Sequence, residues 1–563
     1  MTKNCRQCNQ AFEITDGDLA FYDKISPVFA GKKELIPPPT LCPDCRSRRR
    51  MAWRNERKLY WRKSDFSGKE ILSVFSPDKP YKVYESSEWY SDAWDPKSYG
   101  RDFDFSRPFF EQFDELMKAV PQLALSVVNV ENSDYINQAG WCRACYLIFE
   151  ADDNDHCWYG NNINRSRYCV DNLMIVNCEL AYECVHCRDC YNLKFSQDCE
   201  TCSDSYFLKS CVGCRNCFGC VNLVNAEYCF LNEQLTKEKY LEKLKSVDLG
   251  SYASLAKMRS QFNEFVKKFP HRSSQGSLIE ISVGDYVYLT KYCFECFEVK
   301  ESQDCKFVVN SQRLKDVYDL TVFGGPKGIQ LCYENHEAGQ GLQRVHFGDQ
   351  NWDGSHDLLY CKLCLFGSHD LFGCIGLGKA EYCVLNKQYS KVEYEALVPR
   401  IIEHMRSTGE WGEFFPSWVS PFGYNETLAL EQWPISREEA LSQGFKWSDY
   451  VAPTPSLPSI PASQVPDRIT NVPDSILQSA IVCEVTKKPF RLIPQELKYY
   501  REYGLPVPRR HPDQRHADRM ALRNPRQLYD RICATCALPL RTTYAPDRPE
   551  RILCEECYRR EVF

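Results

Sequence analysis

Cysteine and aliphatic residues recur at multiples of three along the first half of the chain. Fifteen cysteines between Cys142 and Cys229 are separated only by multiples of three residues. Aligned at a period of fifteen, the segment gives columns of constant size, such as Ile148, Ile163, Cys178, Leu193, Leu208 and Leu223. Repeats that cannot bury a face alone do so by stacking on their neighbours. The pattern predicts a cysteine-rich β-solenoid with fifteen-residue coils over residues 141–235.

Asparagine runs beside the aliphatic column, at Asn162, Asn177, Asn192 and Asn222. Stacked amides hydrogen-bond to one another in cross-β structures. We therefore expect these four residues to form a ladder at one turn of the coil.

A second solenoid is predicted over residues 285–388. The motif NCFGCVNLVNAEYCFLN, which ends the first solenoid, recurs as DLFGCIGLGKAEYCVLN at 370–386. A helical pattern follows each copy. Cys361 and Cys364 are one residue out of phase with the other cysteines of this segment, which indicates a bulge near GSHDLFG.

The remaining middle segments read as connectors. We predict a helical connector over 91–140, a helical segment over 236–284 and a helical or irregular segment over 389–450. Six prolines between Pro453 and Pro473 predict an extended linker over 451–475. The predicted fold is thus mainly β with α, in which two terminal modules flank two solenoids that are each followed by helices.

Each end of the chain carries two CxxC knuckles, the pattern of a zinc ribbon. Two knuckles supply four thiolates to one tetrahedral metal site. The N-terminal module, 1–90, offers Cys5, Cys8, Cys42 and Cys45. The C-terminal module, 476–563, offers Cys533, Cys536, Cys554 and Cys557. We expect one structural Zn²⁺ at each end.

The two modules are copies of one another at a constant offset of 469 residues, from CPDCRSRRRMAWRNERKLY to HPDQRHADRMALRNPRQLY. Each copy has retained one potential metal site and lost the other. The lost site of the first copy comprises Ser64, Ser67, Glu85 and Glu88. The lost site of the second copy comprises Cys483, Thr486, His511 and Gln514. We expect hydrogen bonds and packing to hold these loops in place of a metal.

Arginine is concentrated after the first knuckle pair of each module. The candidate nucleic-acid contacts are Arg46, Arg48, Arg49, Arg50, Arg54, Arg57, Arg519 and Arg523. Arginine interleaved with aromatic residues suits phosphate contact and base stacking. The alternative is that these arginines pair with the protein's own carboxylates and support the fold.

Composition narrows the class of protein. Hydrophobic residues make up 43% of the 563, and the formal net charge of −6 implies no general attraction to nucleic acid or membrane. No apolar run approaches the length of a membrane span, and the N-terminus lacks the pattern of a signal peptide. The 32 cysteines are therefore expected to be thiols and metal ligands in the cytoplasm.

The solenoid thiols have three interpretations. They are compact apolar fillers of the coil, or metal ligands drawn from adjacent coils, or a disulfide ladder in an exported protein. No dinucleotide-binding, P-loop or nucleophile-elbow motif is present, so the sequence predicts no catalytic residue and no small-molecule substrate.

The chain resembles a family of cysteine-rich zinc-ribbon proteins of small-genome uncultivated bacteria. The resemblance rests on CPDCRSRRRMAWRNERKLY, YGRDFDFSRPFFEQF, NCFGCVNLVNAEYCFLN, GYNETLALEQWP and TTYAPDRPERILCEECY, and it covers nearly the whole chain. Members often carry a CoA-transferase (CaiB/BaiF) label, but no residue of this sequence supports that chemistry. The resemblance implies zinc at the ribbons and no particular activity.

The leading functional hypothesis is a non-enzymatic, zinc-binding scaffold whose arginine-rich modules bind RNA or a nucleoprotein complex. One alternative is a protein-interaction scaffold that uses the solenoid faces. The other is a redox or metal-storage protein that uses the stacked thiols.

Overall fold

The structure is a computed structural model that describes residues 1–453 and 457–562. It is mainly β with helices, and it confirms two β-solenoids and two terminal modules that each carry a cysteine tetrad. The helices within the described residues are α1 Asp16–Ile25, α2 Pro43–Met51, α3 Ser86–Trp89, α4 Phe109–Ala119, α5 Lys237–Lys245, α6 Tyr252–Val266, α7 Lys391–Thr408, α8 Leu428–Gln432, α9 Arg437–Ser442, α10 Pro494–Glu502, α11 Pro512–Met520 and α12 Glu555–Val562.

Short hairpins build the terminal modules. The strands of the N-terminal module and its connector are Thr2–Asn4, Ala11–Glu13, Val28–Phe29, Lys32–Lys33, Tyr60–Lys63, Glu70–Ser73, Val83–Tyr84 and Gln122–Leu123. Those towards the C-terminus are Ser459–Pro461, Ala480–Val482, Pro489–Phe490, Tyr529–Ile532, Pro539–Thr542 and Ile552–Leu553, and the last of these pairs with His271–Arg272.

Parallel pairing in the first solenoid joins residues that are twelve apart, such as Asn137 with Phe149 and Phe149 with Asn161. The same spacing continues to the bridge between Phe218 and Phe230. The predicted fifteen-residue coil is therefore wrong. Twelve and fifteen are both multiples of three, so the phase of the cysteines is the same for either period.

The first solenoid contains the strands Val127–Val128, Asn137–Gly140, Phe149–Asp152, Asn161–Asn164, Leu173–Val176, Tyr191–Lys194 and Ser203–Tyr206, and it ends in the hairpin Cys229–Phe230 with Glu233–Gln234. Its ladder begins at Val127, inside the segment that was predicted as a helical connector. At the observed spacing, Cys178, Cys190, Cys202 and Cys214 form one buried column. The core of the coil is thus built largely from thiols.

The predicted asparagines lie at corners of the coil, where the backbone is left-handed. The φ angle is 52° at Asn162 and 54° at Asn177, a conformation that asparagine tolerates better than most residues. They do not form one ladder, because residues fifteen apart do not stack on a twelve-residue coil. Instead, Asn177 donates to Asp189 at 2.6 Å, and Asn192 donates to Asp204 at 2.9 Å, each in the next coil.

The second solenoid has less regular coils. Its strands are Gly276–Glu280, Val283–Lys306, Val309–Gln312, Leu314–Thr321, Ile329–His336, Leu342–His346, His356–Leu359, His369–Phe372 and Glu381–Val384, closed by a hairpin with Lys387–Gln388. The first of these begins before residue 285, the predicted boundary.

Extra residues in the second solenoid explain the cysteines that are out of phase. Steps of thirteen residues join Ile329 to Leu342 and His356 to His369, and each step shifts the phase by one. One extra residue lies close to the predicted bulge, because the Cys364 thiol donates to the carbonyl ten residues on, at Cys374, at 3.4 Å. The corresponding bonds of the first solenoid span nine residues.

A buried apolar cluster joins each terminal module to the solenoid that is farther from it in sequence. One buried cluster joins Phe21 and Trp53 of the N-terminal module to Tyr333 and Tyr360 of the second solenoid. A separate cluster joins the first solenoid to Tyr500 of the C-terminal module. The N-terminal module therefore stabilises the second solenoid, and the C-terminal module stabilises the first.

The predicted linker 451–475 includes residues 454–456, which lie outside the described residues. From residue 459 onward the segment is packed rather than extended in solvent. Ser459–Pro461 pairs with Ala480–Val482, and Val465, Ile469 and Val472 are buried. This part of the segment is an integral part of the C-terminal module.

Candidate metal centres and arginine clamps

The N-terminal tetrad, Cys5, Cys8, Cys42 and Cys45, is assembled from a hairpin turn and a helix start. Cys5 and Cys8 lie in the turn after Thr2–Asn4, where the Cys5 amide donates to Gln10 and Asn9 adopts a φ of 60°. Cys42 is the N-cap of α2, and Cys45 lies in its first turn. The four sulfurs lie within 4.8 Å of one another.

The C-terminal tetrad, Cys533, Cys536, Cys554 and Cys557, has the same local structure. Its turn lies between Tyr529–Ile532 and Pro539–Thr542, with the Cys533 amide donating to Leu538 and Ala537 at a φ of 60°. Cys557 lies on α12. These sulfurs are also within 4.8 Å of one another. Both predicted tetrads can hold a metal ion.

The sulfur geometry matches a tetrahedral thiolate site. A Zn–S bond of about 2.3 Å places tetrahedral sulfurs about 3.8 Å apart. The Sγ–Sγ distance is 3.7 Å from Cys8 to Cys42 and 3.7 Å from Cys536 to Cys554. A hydrogen bond from Cys45 is the largest cause that lowers the pKa of Cys42, to about 5. The same hydrogen bond raises the pKa of Cys45 well above its ordinary value, so Cys42 is the thiol of this pair that ionises first. A thiolate is the form of cysteine that binds metal.

Hydrogen bonds replace the metal at the lost site of the first copy. The Ser64 hydroxyl donates to Glu88, and the Glu88 carboxylate also accepts from the Glu85 amide at 3.0 Å. Burial opposes ionisation of Glu88, but hydrogen bonds from Ser64 and Ser67 hold its pKa below its ordinary value. This confirms the expectation that hydrogen bonds hold this loop.

The lost site of the second copy is also held by hydrogen bonds. The Thr486 amide donates to the Cys483 sulfur at 3.4 Å, and His511 Nδ1 accepts from the Asp513 amide at 3.1 Å. Gln514 donates to Asp518 at 2.8 Å. Among the described residues, the two tetrads are the only groups of three or more Cys, His, Asp or Glu whose ligand atoms lie this close together.

Arginine side chains of α2 point into the protein and form ion pairs with the second solenoid. Arg46 and Arg50, four residues apart, contact the two oxygens of Asp319 at 2.8 and 3.1 Å, which defines the first clamp. Arg50 also pairs with Glu334, in the next coil, at 2.8 Å. Arg49 joins Glu334 to Glu413, at 2.9 Å from each. Three arginines are thus neutralised inside the protein.

The equivalent arginines of α11 form ion pairs with the first solenoid in the same manner. Arg515 and Arg519 are the counterparts of Arg46 and Arg50 at the offset of 469, and each contacts one oxygen of Asp171. Glu496 lies 3.2 Å from Arg515. The duplicated modules therefore dock through duplicated ion pairs, which we call the second clamp.

The structure turns the other predicted arginines inward as well. Arg54 is buried and pairs with Glu56, and Arg523 pairs with Glu298 of the second solenoid. Arg57 packs its guanidinium 4.7 Å from the ring of Phe149. Arg48, which is half-buried, donates to Gln443.

Burial of these arginines corrects the interpretation of the stretch as a nucleic-acid surface. Arg46, Arg49, Arg50, Arg54 and Arg519 are all at most 5% exposed, which leaves no room for a phosphate backbone. The alternative, pairing with the protein's own carboxylates, is what the structure shows. A buried arginine without such a partner would carry a large desolvation cost.

The solenoid cysteines are buried free thiols. Their S–H groups donate to backbone carbonyls, as from Cys202 to Cys211 at 3.4 Å. No three of them within the described coils bring their sulfurs within 4.8 Å of one another, unlike the terminal tetrads. This geometry fits the compact apolar filler among the three interpretations.

No family model matches the chain, and no curated protein is significantly similar to it. Within the residues that the structure describes, no helix has the length and apolar character needed to cross a membrane.

Sequence reasoning did not identify the docking partners of the arginines. Asp171 and Asp319 are single acidic residues at left-handed corners, with φ of 56° at each. The usable signal was the offset of 469 residues, which aligns Arg46 with Arg515 and Arg50 with Arg519. Arginines retained in both copies, in different surroundings, indicate a shared structural contact.

Proposed function

We propose that the protein is a non-enzymatic cytoplasmic scaffold, stabilised by two zinc ions, that binds a protein partner at the open end of its second solenoid. The tetrad geometry supports zinc, because closed sites of four thiolates are typical of structural zinc. The abundance of buried thiols supports a reducing compartment. The inward arginines remove the support for RNA binding through the modules.

The observation that carries the partner proposal is a strand with one unpaired edge at the start of the second solenoid. Gly276–Glu280 pairs on one side with Val283–Lys306 and is the edge of its sheet. An open solenoid end normally carries a polar cap. Here Leu278 is 73% exposed and Ile281 is 62% exposed. An edge with unused backbone groups and apolar side chains is a template for an added strand.

The apolar surface continues into the second coil. Leu289 and Tyr292 are exposed left-handed corner residues, stacked beside Leu278 and Ile281 by the offset of eleven residues between these coils. The occupant we propose is an extended strand of a partner protein whose alternate side chains are apolar. Backbone pairing would supply affinity, and the corner residues would select the side chains.

Selection of extended peptides on the immobilised full-length protein tests this proposal. We expect selected peptides to bind at least about tenfold more weakly to the double variant Leu278→Lys/Ile281→Lys, since charged residues blunt an edge. Val392→Lys, at a 77% exposed position of α7, is the matched control. Equal binding to the double variant, or no selected peptide, would overturn the partner assignment.

Two further measurements separate the parts of the proposal. Elemental analysis should find about two zinc atoms per chain, and a folded protein without zinc would contradict the metal assignment. Filter binding with single-stranded RNA should show no tight, salt-dependent affinity. Such affinity, reduced by Arg48→Glu, would restore the RNA hypothesis.

A further inference from the structure

One side of the first solenoid carries a column of mostly charged residues that point outward, one from each coil. Parallel bridges join its members at the twelve-residue spacing of the coil. In chain order, the column comprises Arg143, Asp155, Arg167, Glu179, Tyr191, Ser203, Arg215 and Glu227. At about 4.8 Å from one coil to the next, it forms a strip about 34 Å long. Arginines alternate with acidic residues along this strip, which we call the charged column.

The other three sides of the coil are occupied by the rest of the protein. A left-handed corner at every third residue gives the twelve-residue coil four sides. Tyr182 belongs to the cluster that the first solenoid shares with the C-terminal module. Asn161 donates to Glu56 of the N-terminal module at 2.9 Å. Arg188 lies 5.3 Å from the ring of Tyr288 in the second solenoid. The charged column lies on the fourth side.

The charged column is exposed and is only partly paired within the chain. The side chains of Arg143 and Arg215 are 60% and 64% exposed, and Tyr191 is 47% exposed. Arg167 and Glu179 are also exposed, and neither forms an ion pair with another residue that the structure describes. Pairing within the chain therefore leaves charges available to a partner.

The order of the charges is complementary to itself when it is reversed. Beside a second copy that runs in the opposite direction, Arg143 faces Glu227, and Asp155 faces Arg215. A two-fold axis repeats each contact, so four ion pairs form between the copies. In a parallel arrangement each charge would face its own counterpart, and like charges would repel. The charge order therefore selects the antiparallel arrangement.

The inner levels of the reversed column are compatible as well. Arg167 faces the Ser203 hydroxyl, which can accept, and Glu179 faces the Tyr191 phenol, which can donate. The two-fold axis passes between the levels of Glu179 and Tyr191, so the two Tyr191 side chains lie on adjacent levels, about 4.8 Å apart. Tyrosine is enriched in the centres of protein interfaces.

Exposed aromatic residues border the charged column at the corners of the coil. Trp141 is 59% exposed, and Tyr168 is 42% exposed. The same two-fold axis places Trp141 opposite Asn225, and it places Tyr168 opposite Asp204, whose carboxylate can accept from the phenol. Aromatic side chains beside arginine are typical of contact surfaces between proteins. The corners thus add apolar area without opposing like charges.

We propose that two copies of this chain form an antiparallel dimer through the charged column of the first solenoid. A strip about 34 Å long and about 10–15 Å wide buries about 700–1,000 Å² in total from the two copies, the size of a weak or transient interface. Exposed ion pairs make such a dimer sensitive to salt. This surface does not include the edge strand Gly276–Glu280, so the dimer and the partner proposed above are independent of one another.

Sedimentation of the full-length, zinc-loaded protein measures the association directly. Between about 1 and 100 µM at low salt, we expect the mass to rise from that of a monomer towards that of a dimer. Raising the salt concentration to about 0.5 M screens the exposed charges and should weaken the association about tenfold or more. A protein that stays monomeric throughout this range at low salt would overturn the proposal.

Two complementary variants test the antiparallel arrangement. In the acidic variant, Arg143→Glu/Arg215→Glu, every outer level of the column is negative. In the basic variant, Asp155→Lys/Glu227→Lys, every outer level is positive. Each variant alone should associate at least about tenfold more weakly, because like charges then face each other, whereas an equimolar mixture should form a heterodimer. A dimer that persists in either variant alone, or a mixture that stays monomeric, would contradict the proposed interface.

The matched control is Arg541→Glu, a charge reversal on the exposed hairpin Pro539–Thr542, which should associate as the natural protein does. Leu278→Lys/Ile281→Lys should also leave the dimer intact, because it changes only the start of the second solenoid. Loss of the dimer in that variant would place self-association at the edge strand and refute the charged column. Thermal melting should show that every variant is folded at the temperature of the experiment.

Discussion

The metal tetrad and the arginine clamp share one helix in the N-terminal module, whereas they lie apart in the C-terminal module. α2 carries Cys42 at its N-cap, Cys45 in its first turn, and then Arg46 and Arg50. In the second copy, α11 carries Arg515 and Arg519, but the tetrad lies further along the chain, at 533–557. The clamp therefore does not require a metal at the start of its helix.

The second copy fixes its clamp helix by other means. His511 caps α11 in place of Cys42, and Asp513 pairs with Lys58 of the other module at 2.9 Å. Duplication thus kept the ion pairs that dock each module, while each copy lost a different metal site. Docking and metal binding are separable tasks in this fold.

Loss of one tetrad ligand should destabilise the protein most, and it should show most clearly how the two modules differ. Cys8→Ser and Cys536→Ser change matched exposed ligands, and each should lower the zinc content from two to one. Structural zinc contributes about 10–16 kcal/mol to the folding of isolated zinc-finger peptides. We expect Cys8→Ser to raise hydrogen exchange in α2 and in the coil of Asp319.

Hydrogen exchange at the clamp helix should respond differently in Cys536→Ser. Cys536→Ser should raise exchange within 529–558 and leave α11 protected, because that clamp helix is independent of the tetrad. Exchange mass spectrometry of both proteins is the measurement. Loss of protection in α11 would show that the two copies couple metal and clamp in the same way.

Removal of the clamp carboxylates should cause the second-largest loss of stability. Asp171→Asn and Asp319→Asn each leave two buried arginines short of a partner, which costs about 3–5 kcal/mol. Asp171→Asn should be the more damaging, since Arg50 retains Glu334 and Arg519 has no second ion pair within the described residues. Chemical denaturation followed by fluorescence measures both.

A surface carboxylate of the first solenoid is the control for these variants. Asp155 pairs with Arg143, whose side chain is 60% exposed, so Asp155→Asn should cost less than about 1 kcal/mol. Equal losses in the three variants would mean that the clamps contribute no more than a surface pair.

The smallest of these effects should be the pH dependence of stability that arises where the C-terminal module contacts the second solenoid. Asp285 of the second solenoid accepts from the Thr543 hydroxyl at 2.7 Å, and burial raises the pKa of Asp285 to about 6. Its pKa in the unfolded chain is about 3.9, so its contribution to stability is full below pH 4 and is lost as pH rises through 6. The loss amounts to about 2–3 kcal/mol.

Asp285→Asn should abolish this dependence. The variant should match the natural protein near pH 4 and exceed its unfolding free energy by about 2–3 kcal/mol at pH 7. The N-terminal module has Val74 at the position of Thr543, so it contributes no matching term. A difference between the two proteins that stays constant from pH 4 to pH 7 would refute the assignment.

Features that depend on local spacing follow from the amino-acid sequence alone. Two knuckles fix each tetrad because a CxxC turn places two thiols on one side, as at Cys533 and Cys536. The spacing of three marks the inward side chains because each short side of the coil contributes one of them. The offset of 469 residues revealed the duplicated module before any contact was known.

The coil length and the partners of the arginines depend instead on contacts between residues that are distant in sequence. A twelve-residue and a fifteen-residue coil share the same inward phase, so only backbone pairing between coils distinguishes them. The sequence shows that Arg46 and Arg50 are cationic, but not that Asp319, far along the chain, lies beside them. The charge of an arginine does not decide whether its side chain is exposed or buried. It can be buried only where the fold brings a carboxylate to it.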